Sequence, residues 1–166
     1  MLKNSPNMPG GIITLKKDPR ITPLGGFLRS TKINELPQLI NIIKGEMSIV
    51  GPRPVMPISF AAYPDEIKNS IYQVPPGLTG IGSIIFRDEE ALITRVKNQG
   101  GDTWNFYQES IYPYKGALEL WYQDHVSFYT DLMLIFLTAW VILFPKSNLP
   151  FTVFKDLPKR PEELAV

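Results

Sequence analysis

Apolar residues recur at helical spacing from Leu36 through Leu39, Ile40 and Ile43 to Met47, and Gly45 is placed to end that helix after Lys44. The pattern predicts Asn34 as the N-cap. Pro37 then falls in the first turn, where backbone N–H groups lack intrahelical partners, and Asn34 and Glu35 stand at the helix mouth. Met47 to Val50 reads as a short strand, closed by the rigid Gly51-Pro52-Arg53-Pro54, which aims Arg53. Pro64-Asp65-Glu66 has the proline and acidic residues of a helix start, and that helix ends before Pro75-Pro76-Gly77. The apolar run Ile81 to Phe86 predicts a buried strand, and Arg87-Asp88-Glu89-Glu90 predicts a helix opening after it. Two more helices are expected between Thr103 and Asp124, then an apolar helix from about Asp131. The first twenty residues, with Pro6, Pro9, Gly10, Gly11 and Asp18-Pro19-Arg20, read as a loop, and Pro145, Pro150, Pro158 and Pro161 as an extended tail.

Together these elements predict an α+β fold: a helix-rich single domain over residues 1–144 with a few short strands, then a Pro-rich tail over 145–166. The 166 residues suit one domain, and the 16 prolines keep the helices short. The 17 basic residues nearly cancel the 16 acidic ones, so the one-signed field that nucleic-acid binding needs is missing and nucleic acid is not an expected partner. The chain has no cysteine, which excludes disulfides, thiolate nucleophiles and cysteine-based zinc sites and leaves the chemistry to oxygen and nitrogen groups. Met1 to Gly11 contains no continuous apolar core of the kind a signal peptide needs.

The run Leu132 to Phe144 covers roughly 20 Å as a helix against a hydrocarbon core of about 30 Å, so it does not comfortably span a bilayer alone. Trp140 and the preceding Trp121, Tyr122, Phe128 and Tyr129 suit a membrane interface, while a buried core helix explains the same composition.

Three groups of residues are candidates for chemistry. Arg29, Asn34, Glu35 and Arg53 combine a helix mouth, which favours bound phosphate, with planar guanidinium donors and a carboxylate suited to a divalent cation. Such parts fit a diphosphate substrate. A plainer reading makes Asn34 a cap, Glu35 a charge complementing the helix dipole and the arginines surface ion-pair partners. Arg87-Asp88-Glu89-Glu90 suits a phosphate or metal contact at a strand end, and equally a solvated first helical turn. His125 lies near Asp124 and Ser127 in sequence, but a triad requires a spatial arrangement that adjacency does not supply.

DPRIT at 18–22, FLRSTKINELPQLINIIKGEMSIVGPRP at 27–54, PPGLTGIGSIIFRDEE at 75–90 and WYQDHVSFYTDL at 121–132 resemble, in order and spacing, the motifs of the bacterial sugar transferases. These are monotopic polyprenyl-phosphate phosphoglycosyl transferases, which initiate glycan, capsule and exopolysaccharide assembly. The resemblance implies transfer of a sugar phosphate from a UDP-sugar to polyprenyl (undecaprenyl) phosphate, with release of UMP and a requirement for Mg2+, through a covalent phosphosugar on an aspartate. It implies membrane association at the cytoplasmic face of the bacterial cell membrane, with UDP-sugar, polyprenyl phosphate and the membrane surface as partners. Residue by residue, Arg29 and Arg53 match the family's phosphate-site arginines, Arg87 a third functional arginine, and Glu35 the magnesium-associated glutamate.

Asn34 stands where the resemblance implies the nucleophilic aspartate. An amide carries no negative charge and is a poor nucleophile. Three readings follow: a substitution that traps an inactive state, a natural pseudoenzyme, or use of another carboxylate such as Glu35. The pseudoenzyme reading makes the chain a non-catalytic scaffold that regulates an active partner transferase, and a homo-oligomer is a further expected arrangement. Family members also carry a membrane-embedded helical hairpin and a basic segment ahead of the region seen here, so the resemblance implies a chain without its N-terminal hairpin.

Overall fold

The computed structural model describes residues 21–31, 33–61, 63–71 and 73–164. The loop expected over the first twenty residues, including Asp18-Pro19-Arg20, lies outside them.

Helix α1 (Pro23–Ser30) starts where Thr22 Oγ1 accepts the Gly25 N–H at 3.1 Å, with Pro23 at a position that needs no N–H partner. A 3-10 turn at Ile33–Glu35 follows, then α2 (Gln38–Ile43), which stops at Gly45 with φ +75°. The predicted helix is therefore shorter than its apolar spacing suggests, and Asn34 is not its cap. Pro37 disfavours the α conformation at Leu36 and itself occupies the N-cap position, without a side-chain cap. Asn34 sits in the separate 3-10 turn. No phosphate site at the mouth of α2 can therefore be built on Asn34.

Strand β1 (Ser48–Val50) agrees with the sequence pattern. It pairs in parallel with β2 (Gly77–Thr79), in the register Ser48 to Gly77 and Val50 to Thr79. Gly51 and Gly77 face each other where the strands meet, so closely that a side chain on either would run into the other's backbone. Between the strands lie α3 (Pro57–Ala61) and α4 (Asp65–Ser70), the latter at the expected Pro64-Asp65 start.

The apolar run predicted as a strand is instead α5 (Ile81–Ile85), entered through the extended Gly80. Periodicity alone does not separate a fully buried strand from a buried helical turn. The strand is spent on Gly77–Thr79, and α5 packs Ile81 and Ile84 against α8 (Tyr112–Asp124) and α9 (Phe128–Leu143). Helix α6 (Glu89–Asn98) opens at the predicted acidic residues. Helix α7 (Thr103–Phe106), capped by the Asp102 carboxylate at 2.8 Å from the Trp104 nitrogen, runs through a π-helical turn at Tyr107–Ile111 directly into α8. The expected pair of helices is thus continuous, and Pro113, which has no N–H to donate, falls in the first turn of α8.

The core gathers Ile81, Ile84, Leu92, Ile93, Ile111, Leu118, Leu134 and Leu137. Thr79 Oγ1 and Thr138 Oγ1, 2.6 Å apart, tie β2 to α9. The C-terminal segment is folded onto this core, with α10 (Leu149–Val153) and a 3-10 turn at Glu162–Leu164 interrupting the expected extended tail. Phe154, Leu157 and Leu164 are buried, Trp121 Nε1 donates to Asp156 at 2.8 Å and Tyr114 OH to the Pro158 carbonyl at 2.9 Å.

Helix α9 is two-faced. Thr130, Leu134, Leu137 and Val141 enter the core, whereas Phe128, Tyr129, Leu132, Ile135, Phe136 and Leu143 are exposed. The core-helix reading holds for the inward face; Trp121 and Tyr122, counted above among aromatics suited to a membrane interface, are instead buried in the core, because α8 turns them inward. Leu24 and Phe27 of α1 and Leu39, Ile40 and Ile43 of α2 are exposed as well. Among the described residues no helix is long and apolar enough to cross a membrane.

Candidate functional site

A cavity of about 710 Å³ opens between α1, the 3-10 turn, the loop after β1 and the α5–α6 junction. Arg29, Asn34, Glu35, Arg53 and Arg87 all line it. These positions span more than fifty residues of sequence, and the fold brings them together as Arg29 of α1 reaches Glu90 at the start of α6 while Arg53 of the Gly51-Pro52-Arg53-Pro54 loop reaches Glu35 of the 3-10 turn.

Each arginine is positioned by a specific contact. Arg53 Nη2 lies 2.8 Å from Glu35 Oε1, and Glu35 is only 8% exposed. Arg29, in the last turn of α1, reaches Glu90 Oε1 at 2.7 Å, and Arg87 Nη2 donates to the Ser30 carbonyl at 3.0 Å. Arg29 and Arg53 each keep more than two-fifths of the side chain in solvent, at 43% and 44%. A guanidinium has five N–H donors, so a phosphate can be bound without emptying these contacts. Asn34 is exposed on the cavity lip.

The acidic run that opens α6 belongs to this site and is not simply solvated. Glu90 holds Arg29, while Glu89 accepts from Lys115 Nζ at 2.6 Å and from the Tyr107 hydroxyl. Burial and the neighbouring Glu89 carboxylate hold the Tyr107 hydroxyl far above its usual range, so it remains a proton donor. Lys115 also lies over the Phe86 ring, 5.0 Å from its centre. Asp88 lines the cavity and makes no capping hydrogen bond.

His125 lies elsewhere. It stacks on Trp121, its Nδ1 is 2.8 Å from the Trp121 carbonyl, and its Nε2 is 2.9 Å from Asp156, an arrangement that ties α8 to the C-terminal segment. The Trp121 indole and His125 hold the Asp156 carboxyl below its usual range.

Among the cavity residues that sequence reasoning did not single out are Ser83, Lys115 and Glu119. Glu119 lies within Leu118-Glu119-Leu120-Trp121 of α8, and burial, opposed by the Lys115 charge, pushes its carboxyl up to about 8. A carboxylate flanked by apolar residues on a core-facing helix, with a lysine four residues before it, was the available signal.

Among the described residues no cluster of three or more His, Asp or Glu side chains is arranged to hold a metal ion. Magnesium does not require one, since it commonly takes one or two carboxylates together with substrate phosphates and water. The Glu35 carboxylate, a hard oxygen donor lining the same cavity as Arg29, Arg53 and Arg87, is of the kind that coordination uses.

The sequence profile of the bacterial sugar transferases matches residues 1–145. The UDP-galactose-lipid carrier transferase of Erwinia amylovora is 36% identical over 129 residues, which are 78% of this chain and 23% of that protein. The undecaprenyl-phosphate galactose phosphotransferase of Salmonella typhimurium matches with the same identity and the same coverage of both chains. The exopolysaccharide production protein ExoY of Rhizobium meliloti is 40% identical over 103 residues, 61% of this chain and 45% of that protein. The chain spans about a quarter of the length of the first two relatives and less than half of the third. The order of motifs along the sequence and the profile that covers nearly all of it agree: this chain belongs to the bacterial sugar transferase family.

Proposed function

We propose that the chain binds a UDP-sugar and polyprenyl phosphate at the cytoplasmic face of the bacterial membrane, in the reaction that moves the sugar phosphate from nucleotide to lipid and releases UMP. The observation that carries this reading is the convergence of Arg29, Arg53 and Arg87 with Glu35 on one cavity. Three cations from three segments suit a diphosphate better than a neutral ligand. Glu35 and Glu90 keep Arg53 and Arg29 aimed at the cavity, so little side-chain freedom is lost when phosphate binds. Glu35 is the residue that would hold magnesium, which when bound would offset charge on the phosphates.

One relative is named a UDP-galactose-lipid carrier transferase and another an undecaprenyl-phosphate galactose phosphotransferase, names in keeping with this donor and acceptor. The exposed apolar faces of α9, α1 and α2 suit contact with a membrane surface, where the lipid acceptor resides.

Asn34 decides between turnover and binding alone. With an aspartate at this position, a carboxylate oxygen would bond to the sugar-bearing phosphorus as the bond to the UMP oxygen breaks. An oxygen of polyprenyl phosphate would then displace the carboxylate and complete the transfer. The Asn34 amide has no charge with which to begin. That observation favours a second reading, in which the chain keeps the fold and the ligand site and serves as a non-catalytic partner of an active transferase.

UMP release from UDP-sugars, measured with polyprenyl phosphate and magnesium in detergent, tests both readings. Release by Asn34→Asp and none by the natural sequence is the expected outcome. Equal release by both removes position 34 from the covalent step. Release by neither, together with co-purification of an active transferase, establishes the scaffold reading.

A further inference from the structure

Ser83 Oγ, Arg87 Nε and Glu119 Oε2 are the buried side-chain polar atoms that find no hydrogen-bond partner among the described residues, and all three residues line the same cavity. Buried polar groups are overwhelmingly paired, and an unpaired one costs stability. Three chance failures would have no reason to share one wall.

The arrangement is built by the local fold. Gly82 in α5 brings its Cα against Glu119 Oε1, so closely that any larger residue at 82 would strike the carboxyl. Ser83 is the next residue, and Arg87 follows where α5 ends, with its Nη2 held by the Ser30 carbonyl. Lys115, one turn before Glu119, is engaged by Glu89 at 2.6 Å and donates no hydrogen bond to Glu119. Glu119 itself is 5% exposed.

We propose that Ser83, Arg87 and Glu119 form the subsite that reads the hydroxyl groups of the donor's sugar ring, deeper in the cavity than the diphosphate. This assignment rests on the functional reading above. A hydroxyl, a guanidinium N–H and a carboxyl offer donors and acceptors in alternation, which suits the hydroxyls of a sugar, each both donor and acceptor. Arg87 links the two parts of the ligand, with Nε toward the ring and its terminal nitrogens toward phosphate. Burial keeps Glu119 protonated at neutral pH, so its carboxyl can donate as well as accept.

The test compares UDP with UDP-galactose by titration calorimetry on the natural sequence, Glu119→Leu and Glu119→Gln, with thermal unfolding of each protein. The expected result is that the natural sequence binds UDP-galactose more tightly than UDP. Glu119→Leu should lose about tenfold or more of affinity for UDP-galactose while binding UDP unchanged, and should unfold at the same or a higher temperature. Glu119→Gln, which keeps a donor and an acceptor, should retain most of the affinity. A purely structural Glu119 predicts no change in ligand affinity, and that result overturns the subsite. Equal weakening of UDP and UDP-galactose by Glu119→Leu moves the contact to the nucleoside and also overturns the sugar assignment. Absence of binding of both nucleotides to the natural sequence overturns the functional reading, and this inference with it.

Discussion

The rim of the cavity and its inner wall are both lined by polar side chains, but they stand in opposite states. At the rim, Arg29 pairs with Glu90 and Arg53 with Glu35, and both guanidinium groups are partly in water. On the inner wall, Ser83, Arg87 and Glu119 each keep a buried polar atom without a partner among the described residues. Paired and hydrated charges cost the fold little, so the rim says little about why its residues are there. Unpaired buried groups do cost the fold, and an apolar residue of the same size at 119 would remove that cost. Local rules broken at a cavity are the mark of a site used for something other than stability.

The largest effect expected from this difference is on the pH dependence of stability. Glu119 holds its proton to about pH 8 in the folded chain, against an ordinary value of 4.5. Between those values unfolding releases a proton, so stability falls as pH rises, by up to about 1.4 kcal/mol per pH unit from this group. Below the lower value both states are protonated and the slope vanishes. Glu119→Gln has no proton to lose, so urea midpoints measured from about pH 5 to about pH 8 should fall less steeply than in the natural sequence. Identical slopes would mean that Glu119 is ionised in the fold, and the contrast between wall and rim would disappear.

The two regions were also unequally legible in the sequence. Of the inner wall Arg87 alone was singled out, while the rim lies mostly in the motif stretch 27–54, where strand β1 and the proline-flanked Arg53 could be read from local pattern. Even there, the local rule failed at Asn34, because Pro37 delays the start of α2 and leaves Asn34 in a 3-10 turn. The rest of the wall was hidden for two physical reasons. Ser83 lies in a short apolar run whose periodicity fits a strand as well as the buried helix α5 it forms. Glu119 reads as an ordinary polar position of α8 until tertiary packing places Gly82 against it. Helix α9 posed a similar ambiguity: a run apolar all round gives no phase, so sequence alone does not say that Leu134, Leu137 and Val141 are its core face.

The next effect separates phosphate binding from sugar reading. Arg53→Ala removes a guanidinium from the rim and should weaken UDP and UDP-galactose equally, on the order of tenfold to a hundredfold by titration calorimetry. The inner-wall variant Glu119→Leu should act on UDP-galactose alone. If Arg53→Ala reduced the affinity of UDP-galactose but left UDP intact, the rim would be reading sugar, and the division of labour drawn between the two regions would be wrong.

The smallest effect is expected for the Arg29–Glu90 pair. Both side chains are more than two-fifths exposed, so solvent screens their attraction and ordering two long side chains offsets part of it. In a double-mutant cycle with Arg29→Ala and Glu90→Ala, the coupling in unfolding free energy should be at most about 0.5 kcal/mol and should shrink as salt is added. A coupling above about 1 kcal/mol that salt leaves untouched would place the pair in a dry environment like that of the inner wall. The same Arg29→Ala change should nevertheless weaken UDP binding, because a bound diphosphate keeps water from the guanidinium and strengthens the interaction. Glu90→Ala frees Arg29 from its carboxylate and separates two roles for that ion pair. If the pair aims the arginine, nucleotide affinity falls; if Glu90 merely competes with phosphate for Arg29, affinity rises.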